Sequence, residues 1–177
     1  MNRLLFALGF LLAVGLFFFA CNTDAKPGIS KNDKTDYRKV PLEFSFQQAE
    51  EEVIKLSDLR GKIVFINFWA SWCPTCREEM PSLNNLYQKY KRDEKIAFVV
   101  VNKDKDTTDA RAYLQERNFD LPIFKQASDI PKSVFTGELP TTVLLDKKGR
   151  VIYREDKLVD FKHERFAKLL DSLRLQE

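Results

Sequence analysis

Ile63-Val64-Phe65-Ile66-Asn67-Phe68-Trp69-Ala70-Ser71-Trp72-Cys73-Pro74-Thr75-Cys76 is the stretch that decides the fold. Ile63 to Trp69 is apolar apart from Asn67, the pattern of a strand covered on both faces. From Thr75 to Lys91 the spacing becomes helical, with Met80, Leu83, Leu86, Tyr87 and Tyr90 recurring on one side. Two cysteines three apart therefore stand where a buried strand hands over to a helix. Pro74 suits the first helical position, because its missing N–H would have had no partner there. Cys73 then lies at the helix N-terminus, where unpaired N–H groups and the helix dipole favour negative charge. That environment stabilises the thiolate, the form that attacks a disulfide. Cys76 falls one turn on, on the same face, within bonding reach of Cys73. The pattern is that of a redox-active dithiol.

Two other readings of the cysteine pair are open. A structural zinc site takes about four Cys or His ligands, and beyond this pair the chain holds only Cys21 and one histidine, His163. A purely structural disulfide across so short a loop would restrict the unfolded chain less than a long one. Dithiol–disulfide exchange runs on the two sulfurs alone, so no cofactor and no metal is expected. His163 lies between Lys162 and Glu164 and reads as solvated surface.

Outward from this centre the chain alternates strand and helix. Ile96 to Val101 is a second buried strand, parallel to the first if the crossover is right-handed. Pro81 is expected to kink the helix, because it removes a backbone donor and crowds the preceding turn. Upstream, Glu43 to Phe46 and Val53 to Leu56 read as a two-stranded ribbon, and Ser57 to Gly61 as a turn. Downstream, Asp106 to Asn118 looks helical. Thr141 to Leu145 and Val151 to Arg154 flank a hairpin turn at Asp146 to Arg150. Asp160 is placed to cap a last helix with Phe166, Leu169, Leu170 and Leu173 on its buried stripe. The fold class is α/β, a mixed sheet with helices around it and a β-ribbon at its N-terminal side.

The N-terminus indicates where the chemistry takes place. Asn2-Arg3 precedes an uncharged apolar run from Leu4 to Ala20, a length shared by signal h-regions and short membrane spans. Polar residues follow at once: Asn22, Thr23, Asp24 and Lys26. Residues 1–20 are thus a signal peptide or a signal anchor. Residues 21–39 form a polar tether that cannot bury enough apolar surface to order itself. Residues 40–177 make one domain of ordinary size. The sequence carries 29 Lys and Arg against 26 Asp and Glu, a formal charge of +3, of which residues 1–20 hold only Arg3. So even a balance gives no support for nucleic-acid binding. Three cysteines rule out a disulfide-stapled scaffold, so the domain rests on its hydrophobic core.

Asn67 to Pro81, with the Leu139-Pro140-Thr141-Thr142-Val143-Leu144-Leu145-Asp146 segment and the closing hairpin, resembles membrane-tethered thioredoxin-fold proteins of the TlpA and ResA type. The Cys-Pro-Thr-Cys core is also similar to that of reductases serving cytochrome c maturation. Phe18-Phe19-Ala20-Cys21 resembles a lipoprotein signal, with cleavage before Cys21 and lipid on its sulfur. Phe18 departs from that pattern, where leucine is usual, and this keeps the signal anchor open.

The resemblance implies a thiol–disulfide oxidoreductase facing the periplasm or another extracytoplasmic side, most readily a reductase. Its partners would be disulfide-containing exported proteins and an inner-membrane thiol donor. It implies that Cys73 attacks, that Cys76 resolves the mixed disulfide, and that Pro140 is a cis-proline beside them. The backbone of Leu139 would then pair with an extended substrate. Glu79, three residues after Cys76, would sit near the dithiol, although Glu78 beside it competes for that face. Trp72 would cover the dithiol and, with Pro74, meet partners, while Trp69 belongs to the core. Thioredoxin itself carries an aspartate where this chain has Asn67. A tethered binding or metal-delivery module, and a disulfide-forming oxidant, stand as alternatives.

Overall fold

A strand–helix–strand unit frames the molecule. The strand β3, Ile63–Trp69, is buried at every position. It pairs in parallel with β4, Ile96–Asn102, through the crossover helix α1, Pro74–Tyr90. The computed structural model describes residues 40–48 and 53–175. The leader, Cys21 and the tether lie outside them. Among the described residues no helix is long and apolar enough to cross a membrane.

The remaining strands are β1 (Ser45–Gln48), β2 (Val53–Lys55), β5 (Phe124–Gln126), β6 (Thr141–Leu145) and β7 (Val151–Glu155). They form one seven-stranded sheet in the order β2-β1-β5-β4-β3-β6-β7. This is a thioredoxin-like α/β fold with the ribbon β1–β2 at one edge and the hairpin β6–β7 at the other. The ribbon strand β1 runs two residues later than the Glu43–Phe46 alternation suggests. Phe44 and Phe46 are nevertheless buried and meet edge to face with centroids 5.4 Å apart. The strand β5 is the unexpected element. It pairs antiparallel with β1 and parallel with β4, and so joins the ribbon to the sheet.

Helix α2 covers Thr108–Glu116, shorter than expected. Asp106 stays outside and accepts a hydrogen bond from the Thr108 N–H at 2.8 Å, while Asn118 ends the segment with φ +54°. Helix α3, Glu164–Leu175, begins later than a cap at Asp160 requires. The Asp160 carboxylate instead accepts from the Lys162 N–H two residues on, at 3.0 Å, the local turn that such side chains make in competition with helix. His163 is exposed and lies just before the helix.

Strand alternation divides the core. Ile63, Phe65 and Trp69 face one side, where buried residues of α1, α2 and α3 meet them. Val64, Ile66 and Phe68 face the other, covered by Val40, Phe44, Leu56 of the 3-10 turn Leu56–Leu59, and the segment around Val134.

Candidate active site

The link between β3 and α1 is held from both sides. The Ala70 carbonyl accepts from the Cys73 N–H at 3.2 Å, which tightens the turn. The Ser71 N–H donates to the Asp104 carboxylate at 3.0 Å, and Asn102 Nδ2 donates to the same group at 3.1 Å. The Lys103 N–H donates to the Trp69 carbonyl at 2.8 Å. The end of β4 therefore grips the loop that carries the cysteines. Neither Asn102 nor Asp104 belongs to the sequence motif, and only their place at the end of a parallel strand next to β3 marks them.

Cys73 occupies the N-cap of α1 in extended conformation, with Pro74 as the first helical residue. Cys73 and Cys76 are joined by a disulfide. The Cys76 N–H donates to Cys73 Sγ at 3.2 Å, and Thr75 Oγ1 lies 3.5 Å from the same sulfur. On reduction these two donors face the atom that takes the negative charge, at the helix end where the dipole already favours it. Cys76 is completely buried, whereas Cys73 retains a small accessible edge. Trp72 is 68% exposed beside it, and Trp69 is fully enclosed against Tyr113.

Helix α1 runs unbroken through Pro81. The missing Pro81 N–H leaves the Arg77 carbonyl without its ladder donor, and the Tyr113 hydroxyl of α2 donates to that oxygen at 3.2 Å. The turn bearing Cys76 is thus tied to α2 at the carbonyl that Pro81 leaves without a ladder donor.

Glu79, not Glu78, turns inward. It is 1% exposed, on the buried face of α1 one turn below Cys76, while Glu78 is in solvent. Its carboxylate accepts from Asn67 Nδ2 at 2.7 Å and from the Val159 N–H at 3.1 Å. Asn67 Nδ2 also donates to Thr142 Oγ1 at 3.1 Å. Burial pushes the Glu79 carboxyl up to about 7, although both hydrogen bonds favour its charged form. A carboxyl poised there, one turn from a cysteine, can take and return a proton at neutral pH.

The Leu139–Pro140 peptide bond is cis. Thr141 pairs with Phe68 across the sheet, so Pro140 arrives level with the end of β3, where the cysteine loop begins. Pro140 is buried and Leu139 half-buried. The backbone N–H and C=O of Leu139 have no hydrogen-bond partner among the described residues. Trp72, Cys73, Pro74, Cys76, Glu79, Leu139 and Pro140 thus gather at one end of the sheet around the β3–α1 turn. Cys21 lies outside the described residues.

The family model for redoxins matches residues 36–169. The chain belongs to the redoxin family. Within it, the chain is 32% identical over 162 residues to the thiol-disulfide oxidoreductase ResA of Bacillus cereus, covering 85% of this chain and 86% of that one. A candidate thiol:disulfide interchange protein DsbE of Chlorobium tepidum superposes with a TM-score of 0.64 at 26% identity, over 77% of this chain and 97% of that one. A thiol-disulfide oxidoreductase of Bacteroides fragilis shares the fold, with a TM-score of 0.61 at 23% identity over 76% and 99% of the two chains. This redoxin is a ResA-type thiol–disulfide oxidoreductase.

Proposed function

We propose that this redoxin is an extracytoplasmic reductase of disulfides in exported proteins, apocytochrome c among them. The observation that carries the reading is the Cys73–Cys76 disulfide at the N-terminus of α1, with a small accessible edge at Cys73 and Cys76 fully buried. Cys73 as thiolate attacks a substrate disulfide, forming a mixed disulfide and releasing one substrate sulfur, which takes a proton. Cys76 passes its proton to Glu79 and attacks Cys73 Sγ. The Cys73–Cys76 bond forms, the second substrate thiol leaves, and two electrons have moved to the substrate. Trp72 and Pro74 present the exposed face of the dithiol, and the free backbone of Leu139 pairs with an extended substrate segment.

Charge near the second cysteine supports this direction. A strong oxidant owes its potential to a stabilised reduced form, with a low-pKa thiolate. A carboxylate buried near Cys76 opposes thiolate charge and lowers that stabilisation. An apolar leader at residues 4–20 followed by Cys21 supports attachment to a membrane by lipid or signal anchor, with a membrane thiol donor recharging the pair.

The test is the equilibrium reduction potential of the full chain in detergent, in a glutathione or dithiothreitol series. A value near or below ~ −220 mV is expected. A value near ~ −120 mV would make the protein an oxidant that installs disulfides. Absence of insulin reduction with dithiothreitol as reductant would leave the binding-module reading in its place.

A further inference from the structure

Arg154, on the edge strand β7, has a use that its exposed-edge position does not suggest. Its side chain is only 16% exposed. Nη1 donates to the Lys132 carbonyl at 3.1 Å and to the Ser133 carbonyl at 3.0 Å. Nη2 donates to Thr136 Oγ1 at 3.3 Å and to Asp156 Oδ2 at 2.9 Å, and Nε donates to Asp156 Oδ1 at 3.1 Å. All three guanidinium nitrogens are engaged, in the forked geometry that lysine cannot reproduce. Asp156 Oδ1 in turn accepts from the Thr141 hydroxyl at 3.1 Å, and that hydroxyl also lies 2.7 Å from the Glu138 carbonyl.

The network spans residues 132–141 and brackets a single stretch of backbone. On one side it fixes Lys132, Ser133 and Thr136, around Phe135, whose ring stacks on Phe68 of β3 at 4.2 Å. On the other it fixes Glu138 and Thr141. Between them lies Leu139, whose N–H and C=O have no partner among the described residues. A segment with free backbone groups holds one shape only when its neighbours are tied, and an untied one must be ordered when a partner strand arrives.

We infer that Arg154 and Asp156 form a positioning pair that holds the Leu139 backbone ready to receive an extended protein substrate. The inference rests on the reading that Leu139 pairs with the substrate. Neither residue touches the sulfurs, so the pair acts on recognition and not on the exchange steps.

The experiment compares a protein disulfide with a disulfide that has no strand to pair. Insulin reduction is followed with dithiothreitol as reductant, and reaction of the reduced full chain with 5,5′-dithiobis(2-nitrobenzoic acid) is followed alongside. Arg154→Ala is expected to raise the KM for insulin several-fold while kcat, the rate with the small disulfide and the equilibrium constant of the Cys73–Cys76 couple against glutathione stay within about twofold of wild type. Arg154→Lys, which keeps the charge and stem, is expected to show the same KM rise. It carries the test alone should the alanine variant fail to fold. Leu139→Pro, which deletes the Leu139 N–H, checks the underlying reading. A raised insulin KM in Leu139→Pro with a wild-type KM in both Arg154 variants would overturn the positioning pair alone. A wild-type KM in Leu139→Pro would overturn strand pairing and the positioning pair with it. Equal losses on both substrates in the Arg154 variants would also sink the inference, because they would assign Arg154 to the dithiol or to the fold.

Discussion

Glu79 shows how one side chain can be read from its partners. A carboxyl that is 1% exposed and half protonated near pH 7 must be held in both states, and the groups supplied here are donors, which favour the charged one. The Asn67 amide and the Val159 N–H both point hydrogens at its oxygens. An aspartate at position 67 could not donate when ionised and would set two carboxylates against each other. The three-residue spacing from Cys76 made Glu79 legible in the sequence, but only burial separates it from Glu78. The consequence for stability has a definite sign. The folded pKa, about 7, lies above the ordinary 4.5, so the proton binds more tightly to the folded chain. The favourable contribution is complete below pH 4.5 and is lost as the pH rises through about 7. A shift of that size corresponds to on the order of 3 kcal/mol. Urea denaturation of the oxidised protein at a series of pH values should show wild type losing about that much stability relative to Glu79→Gln between pH ~4.5 and ~8. Parallel pH profiles for the two proteins would mean that Glu79 is already ionised when folded.

At the scale of elements, α1 illustrates a local fault corrected from elsewhere. Pro81 is expected to disturb the helix, and it does remove the donor for the Arg77 carbonyl, but the Tyr113 hydroxyl of α2 replaces it. Removing that hydroxyl in Tyr113→Phe should cost about 1 kcal/mol, the ordinary net value of such a bond. In a Pro81→Ala background, where residue 81 can donate to Arg77 itself, the same change should cost less than half as much. Equal costs in the two backgrounds, measured by chemical denaturation as a double-mutant cycle, would show that the bond does not answer the proline. Elements with a strong period were legible: β3 and β4 from unbroken apolar runs, α1 from its stripe, the β6–β7 hairpin from Asp146 to Arg150. Those defined by distant partners were not. Phe124–Gln126 is three residues long with no alternation to read, and it is a strand only because β1 and β4 flank it. Arg154 gave no signal because most of its partners are loop carbonyls and hydroxyls that the fold brings to it. Asp160 misled because an aspartate that bonds two residues ahead looks in sequence like one that caps a helix.

For the whole molecule, the sheet acts as one wall between two apolar layers. The same strands supply both: Phe65 and Trp69 face the helices, and Phe68 on the same strand faces the segment that leads to Leu139 and Pro140. The cysteine loop leaves the end of β3, so both layers bear on the position of Cys73 through one strand. Such a domain cannot lose one face and keep the other, because the strands that floor the first layer also roof the second. Truncating either aromatic, Phe65→Ala or Phe68→Ala, should therefore cost a comparable ~3–5 kcal/mol, the usual range for a fully buried phenylalanine. Each variant should still unfold in a single transition, as single domains of this size usually do. With Trp72 replaced by phenylalanine, Trp69 fluorescence reports the helix-side layer alone, whereas far-ultraviolet circular dichroism reports the backbone of the whole sheet. In guanidinium titrations of Phe68→Ala, the variant on the side away from Trp69, the two signals should move together. If circular dichroism fell first while the fluorescence of Trp69 held, the two layers would be separable units. The dithiol would then be braced by the helix side only, and the Phe135–Phe68 stack would lose its claim to orient the Leu139 segment.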